Sequence, residues 1–396
     1  MKFRRLTRFS SLMFLALVFA SPRCAAQTVT ATQADEKTIR IVVAGRFETS
    51  VTTVKGFGHV FYDLKHDPEK KRDIAPVFTE AGLLWTKMGV GGRERVGTAN
   101  PPKKMELLES GPTRVRVRIS GPMNRRGLGI PRENLEEVGF EQTFTIYPSG
   151  KVYVDYALVA HQPLELHHFL LILKPNGAWG SRGKGEGAGE VRCAGEFGPQ
   201  KPYGKTASSL ALEWTNGPTY FQDILMVMHK GRYNATYWNE GYQDKDLRCG
   251  LNVLSRWPDR KVAKGKDHIR LLLVFRDDIN GHEAAKPYAR DYRNPDKLDV
   301  TKGKLDGEGF DEAEGCYVLE AAPAGVAFTL HGAKVPRMAP AFKIKGWTGK
   351  APRNVTLAGK RLTDGKDFTA SVEDGVLLLQ LMMDVKEDAR IAISAN

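Results

Sequence analysis

Cysteine is scarce, four among 396 residues. Cys24 lies in a stretch that reads as a leader, which leaves Cys193, Cys249 and Cys316. An odd number permits at most one internal disulfide and leaves a thiol over. Cys193 with Cys249 is one possible pair. The spacings exclude a zinc ribbon and a redox Cys-x-x-Cys motif. A His-Glu-x-x-His metal helix is missing, as is a calcium loop; Asp63, Asp67 and Asp73 are scattered acids. No metal and no cofactor is expected. Gly183, Gly185, Gly187 and Gly189 have a phosphate-loop spacing, but no helix follows to present an N-terminus, which excludes that reading. No tandem repeat is visible. Beyond the leader, no apolar run is long enough to span a bilayer.

The leader itself occupies residues 1–26. Lys2, Arg4, Arg5 and Arg8 form a basic start, Leu12 to Ala20 an apolar run, and Cys24-Ala25-Ala26 a cleavage site of small residues. Cleavage after Ala20 fits as well. Ser21-Pro22-Arg23 lacks the small apolar residues that lipid attachment at Cys24 would require. The expectation is an exported soluble protein, secreted or periplasmic, with no membrane partner. The formal charge of +13 falls by five leader cations (Lys2, Arg4, Arg5, Arg8, Arg23) to +8. A basic balance suits an anionic partner. For an exported chain, an acidic polysaccharide is a better match than nucleic acid. The alternative is that the charge serves solubility alone.

The clearest pattern lies at 140–173. Phe140, Phe144 and Ile146 alternate with Glu141, Thr143, Thr145 and Tyr147, the period of a half-buried strand. Pro148-Ser149-Gly150 is a turn, and Val152, Val154, Tyr156 and Leu158 resume the alternation. A third strand follows at 164–173 and carries Glu165, His167 and His168. Arg114, Arg116 and Arg118 alternate with Val115, Val117 and Ile119 and share a strand face, each roughly 6–7 Å from the next. Residues 174–190 are a glycine-rich loop. His268 to Phe275 is a strongly apolar strand, and 282–293 suits a short helix broken at Pro287.

Composition shifts near 294–310, through Pro295, Gly303, Gly307 and Gly309. This places a boundary between a domain at 27–300 and a second at 301–396. The second reads as seven short strands, with turns at Ala358-Gly359, Asp364-Gly365 and Asp374-Gly375.

Residues 140–173 resemble the strand–turn–strand of galactose-mutarotase-like supersandwich domains. Gly56-Phe57-Gly58-His59-Val60-Phe61-Tyr62-Asp63-Leu64 is similar to the opening of such a domain. Val355 to Lys360 and Asp374 to Leu379 resemble the small β-sandwich appended to carbohydrate-active enzymes. The resemblance implies an all-β fold, a large antiparallel supersandwich followed by a small β-sandwich. It also implies a carbohydrate ligand, since these domains occur in polysaccharide lyases and glycoside hydrolases. The catalytic constellation of the chondroitin and alginate lyases does not appear, so no residue role is carried over.

The residues themselves supply the candidates. Residues 229–242 hold Tyr233, Tyr237, Trp238 and Tyr242 among His229, Arg232, Asn234 and Glu240. Aromatic faces stack on sugar rings, and Arg binds a carboxylate with two donors. For β-elimination at a uronate, Tyr233, Tyr237, His167 or His229 would move the proton, and Arg232 with Asn234 would neutralise the carboxyl. Trp238, Glu240, His168 and Arg116 would contact substrate. Strand alternation sends His167 and His168 to opposite faces, with Glu165 placed to orient His167. The bland readings are a hydrogen-bonded sheet histidine pair, an aromatic loop over the sandwich edge and a solvated arginine face. Glu240 with Asp244 or Asp246 is a weak glycosidase pair. A polysaccharide lyase is the leading expectation, ahead of a non-catalytic carbohydrate binder and a glycoside hydrolase.

Overall fold

The structure is a computed structural model. It describes residues 28–53, 56–71, 76–85, 94–97, 103–126, 134–175, 190–195, 206–207, 209–215, 223–228, 233–242, 246–255, 261–276, 281–352 and 354–394. For the strands between 76 and 97 and between 166 and 261 the description is of the backbone.

The protein is all-β with one described helix, as expected. A first antiparallel sheet holds β1 (Val29–Asp35), β2 (Thr38–Val43), β3 (Phe47–Thr52) and β4 (Gly56–Asp63). A large sheet follows: β5 (Pro76–Trp85), β6 (Glu94–Gly97), β7 (Lys104–Ser110), β8 (Val115–Arg126), β9 (Asn134–Ile146), β10 (Lys151–Ala160), β11 (Leu164–Pro175), β12 (Glu190–Gly195), β13 (Thr206–Ala207), β14 (Ser209–Thr215), β15 (Asp223–Met228), β16 (Tyr233–Tyr242), β17 (Asp246–Ser255), β18 (Lys261–Val262) and β19 (Gly265–Arg276). Its path is β12-β14-β15-β19-β10-β9-β8-β6-β5-β11-β17-β16-β13, with β7 on β8 and β18 on β11. Strands β14 and β15 also touch β16, and β12 touches β17, so the sheet folds back on itself. Helix α1 (Gly281–Arg293) lies against β14 and β15.

The remaining strands are β20 (Asp299–Lys302), β21 (Lys304–Asp311), β22 (Cys316–Glu320), β23 (Val326–Leu330), β24 (Ala341–Lys345), β25 (Val355–Leu357), β26 (Lys360–Arg361), β27 (Phe368–Glu373), β28 (Val376–Leu381) and β29 (Ala389–Ile393). They form two five-stranded sheets, β20-β23-β29-β25-β26 and β21-β22-β24-β28-β27. Ala358 and Gly359 turn with φ of 49° and 80°, and Asp374 and Gly375 with 47° and 72°. Two positive values in a row define the type I′ turn that suits a two-residue hairpin.

The central hairpin forms as the alternation requires. Strands β9 and β10 pair from Val152↔Ile146 to Ala160↔Val138, around Gly150 at φ +85°. Val138, Phe140, Phe144 and Ile146 are buried on one face. The Phe57 ring stacks on Phe144 at 5.4 Å, and Phe61 meets Phe275 at 4.6 Å. These contacts fasten the first sheet to β9 and β19; aromatic pairs of this kind add about 0.5–1.5 kcal/mol each beyond burial. The opposite face is not uniformly polar. Thr145, Tyr147, Lys151 and Tyr153 are buried as well. Tyr147 and Tyr153 share a cluster with Leu272, Val274, Tyr292, Cys316, Val318 and Ala341. Both faces of β9 and β10 are therefore covered at the turn end, one by the first sheet and one by the C-terminal strands.

Two expectations are corrected here. Helix α1 continues through Pro287. Proline forfeits one hydrogen bond, but Ala289 and Tyr292 beyond it are buried in that same cluster, and packing outweighs propensity. The arginine face is ion-paired, and of its three arginines only Arg114 is fully buried. Arg114 is buried and pairs with Glu109 and Glu314, Arg116 pairs with Glu314 at 2.9 Å, and Arg118 pairs with Glu106.

Gly315 shows how tightly the C-terminal strands close on the sheet. Its φ is +66°, and a Cβ there would lie 2.1 Å from the Tyr153 ring. Tyr147 and Tyr292 hold that ring edge-on. Gly315→Ala is expected to lower stability by roughly 3 kcal/mol through overpacking and backbone strain. Urea unfolding of the variant beside the parent measures it.

Candidate functional site

Backbone register brings two of the sequence-predicted groups to one end of a three-strand patch. Strand β11 pairs with β17 through Phe169↔Ser255 and Leu170↔Leu254. Strand β16 pairs with β17 through Tyr233↔Ser255 and Asn234↔Leu254. Phe169, Ser255 and Tyr233 thus form one row. Strands lie about 4.8 Å apart, so β11 and β16 run about 10 Å apart there. His168 is the next residue along β11, and Arg232 precedes Tyr233 in the chain. His229 and Arg232 lie outside the described residues.

His167 occupies a special backbone position. The pairing of β11 with β5 steps from Leu166↔Trp85 to His168↔Leu84, two residues against one. His167 is therefore the extra residue of a β-bulge, and strict alternation does not run through 166–168. Bulges interrupt the ladder and re-aim a strand, and they are frequent beside functional sites. The sequence could not show this, because a bulge is defined by the partner strand. Glu165 is exposed, with its backbone opposite Lys261 on β18.

The aromatic cluster is spread out. Residues 233–242 form a ten-residue strand instead of a loop. At about 3.3 Å per residue, Tyr237 is about 13 Å from Tyr233 along the strand, Trp238 about 17 Å and Glu240 about 23 Å. Trp238 is opposite Gly250 and Glu240 opposite Arg248. Tyr233 and Asn234 thus stand at the His167 end, and Trp238 and Glu240 toward the other. Asp244 lies outside the described residues, and Asp246 is opposite Tyr242. Among the described residues, no group of three or more His, Cys, Asp or Glu is placed to hold a metal.

Arg116, proposed from sequence for substrate contact, belongs to a buried charge cluster. Glu314 receives Arg114 and Arg116, and Lys343 at 3.0 Å. Burial alone would push the Glu314 carboxyl up, but the three cations outweigh it and hold it down at about 2. Nearby, burial pushes the Cys316 thiol up to about 12, and Glu314 adds to the effect. A thiol is nucleophilic only as thiolate. Cys316 is therefore expected to resist iodoacetamide in the native protein and to react after unfolding, read by peptide mass mapping. The side chains of Cys193 and Cys249 lie outside the described residues.

A second polar group escaped sequence reading. On β10 and β19, His268 Nδ1 lies 3.0 Å from Asp155, and Arg270 bridges Asp155 and Glu312 at 3.3 and 2.6 Å. Asp155 lies 113 positions from His268 and 115 from Arg270, and the β10–β19 register joins it to them.

No protein-family model matches the chain, and no curated protein matches it. Solved structures do. A heparan sulfate lyase HepC mutant from Pedobacter heparinus is 7% identical over 76% of this chain and 41% of its own, with a TM-score of 0.37. A putative mutarotase, YeaD, from Salmonella typhimurium is 9% identical over 63% of this chain and 94% of its own, at 0.32. The α-N-acetylgalactosaminidase NagBb from Bifidobacterium bifidum is 13% identical over 69% and 46%, at 0.33. The chain spans about two fifths of the length of the heparan sulfate lyase structures it matches.

Proposed function

We propose that the chain is an exported carbohydrate-active protein that cleaves an acidic polysaccharide by β-elimination at a uronate. The observation that carries this reading is the row at the end of β11, β17 and β16, where Tyr233 is level with Phe169, two residues past the bulge at His167. The +8 charge outside the leader and the resemblance at 140–173 support an anionic glycan.

The chemistry needs few parts. A base removes the proton on the carbon bearing the carboxylate. The carbanion formed is stabilised when Arg232, the residue before Tyr233 in the chain, neutralises that carboxylate. The electron pair then forms a carbon–carbon double bond as the glycosidic oxygen leaves, taking a proton from an acid. Tyr233 and His167 are the base and acid of this reading. No water and no cofactor is consumed. Tyr237, four residues along β16 and of the same strand parity as Tyr233, continues the path of the polymer.

The test is a panel of uronate-containing and neutral glycans, followed by ultraviolet absorbance and by reducing ends. Absorbance rising with reducing ends on uronate glycans is expected. Reducing ends alone would replace this reading with a hydrolase. Retention on a glycan column with neither signal would replace it with a binder.

A further inference from the structure

A cleft of about 390 Å³ lies where β19 meets the C-terminal strands, and Arg270, Asp306, Glu308, Phe310, Lys343 and Lys345 contribute to its lining. Its wall is built by an irregularity in β21. The pairing with β22 steps from Leu305↔Leu319 to Phe310↔Tyr317, five residues against two. Asp306-Gly307-Glu308-Gly309 is thereby displaced from the ladder, with Gly307 and Gly309 at φ +57° and +80°. Gly307 has open space around it. Such a segment costs ladder hydrogen bonds.

We propose that this cleft is a binding subsite for a neutral, hydroxyl-rich sugar unit, separate from the elimination site and resting on the carbohydrate reading for its ligand class. The volume falls in the range of about 300–1,000 Å³ usual for small-ligand sites. The charges are paired before any ligand arrives. Lys345 pairs with Asp306, Arg270 with Glu312, and Lys343 with Glu314. Glu308 is exposed and adds one negative charge with no cation set against it. A polyanion gains nothing there, since every cation is taken and Glu308 repels it. Vicinal hydroxyls suit the site, because each both donates and accepts. They can bridge an ammonium or guanidinium to its own carboxylate without breaking the pair. The half-buried Phe310 ring, held edge-on by Tyr317, offers an apolar surface beside these groups.

Calorimetric titration of the full chain with neutral disaccharides at millimolar concentration tests this. Two variants accompany the parent. Asp306→Ala with Lys345→Ala removes an exposed pair and leaves the net charge unchanged. Glu308→Leu removes an exposed carboxylate that would accept from sugar hydroxyls. Each is expected to weaken saccharide binding at least tenfold, with the thermal midpoint close to that of the parent and elimination on short uronate substrates unchanged. Tyr233→Phe is expected to bind neutral disaccharides as the parent does. Parent protein that binds no neutral saccharide overturns the proposal, as does binding that survives in both variants. The elimination assay reads the β11–β16 site independently, so the two readings fail separately.

Discussion

Glu314→Gln is expected to destabilise the protein by about 3–5 kcal/mol. Three cations converge on this one carboxylate, and Arg114, only 3% exposed, would be left in a dry interior with half of its compensation gone. Removing one partner of a buried pair costs more than the pair contributes, because the survivor stays charged and desolvated. The backbone around Glu314 adds to the lock: the Tyr147 hydroxyl donates to its carbonyl at 2.9 Å, and Lys151 Nζ donates to the Met338 carbonyl at 2.7 Å. The exposed pair Lys304–Glu320 is the control, and Glu320→Gln should cost at most about 1 kcal/mol. Equilibrium urea unfolding compares them, and a loss under about 1 kcal/mol for Glu314→Gln would show that the cluster does not hold the C-terminal strands to the large sheet.

The same carboxylate sets an acid limit. Its pKa is depressed on folding, from an ordinary 4.5 to about 2. The stabilisation is fully present above about 4.5 and is lost as pH falls through about 2. At 1.36 kcal/mol per pH unit of difference, this amounts to roughly 3 kcal/mol. The parent should lose stability steeply across that window, and Glu314→Gln should show a shallower loss.

The second large effect concerns chemistry. Tyr233→Phe is expected to lower kcat for uronate cleavage by about 10²–10⁴, the range for losing a positioned acid or base. KM should change little, since the ring remains. His167→Ala should have a comparable effect and shift the pH profile of kcat. Tyr237→Ala, about 13 Å along the strand and of the same parity as Tyr233, should raise KM for long chains and spare kcat for short ones. Full activity in both Tyr233→Phe and His167→Ala would remove the row at β11, β17 and β16 from the mechanism.

Much of the fold was legible in the sequence because hairpins are local. The alternation at 140–160 and the Asp-Gly and Ala-Gly turns specify register from neighbouring residues alone. The arginine stripe was legible as a strand face but not as an ion cluster, since Glu314 lies about two hundred positions away. Tyr147 read as outward-facing for the same reason, as its cover comes from the C-terminal strands. At the candidate site, the residue types were legible and their arrangement was not. The bulge at His167 exists only relative to β5, and the spread of 233–240 along a strand follows from pairing with β17. Polar and aromatic residues bounded by Gly231 and Gly241 carry no alternation strong enough to reveal it.

The central claim is cleavage by elimination, and elimination adds no water. The most direct measurement is digestion of a uronate glycan in heavy-oxygen water, with mass analysis of the products. The account predicts that, sampled before reducing ends exchange their anomeric oxygen with solvent, the fragments carry no heavy oxygen and their masses sum to that of the parent chain. Fragments whose masses sum to the parent chain plus one heavy water per cut, or no cleavage of any uronate glycan, would contradict it.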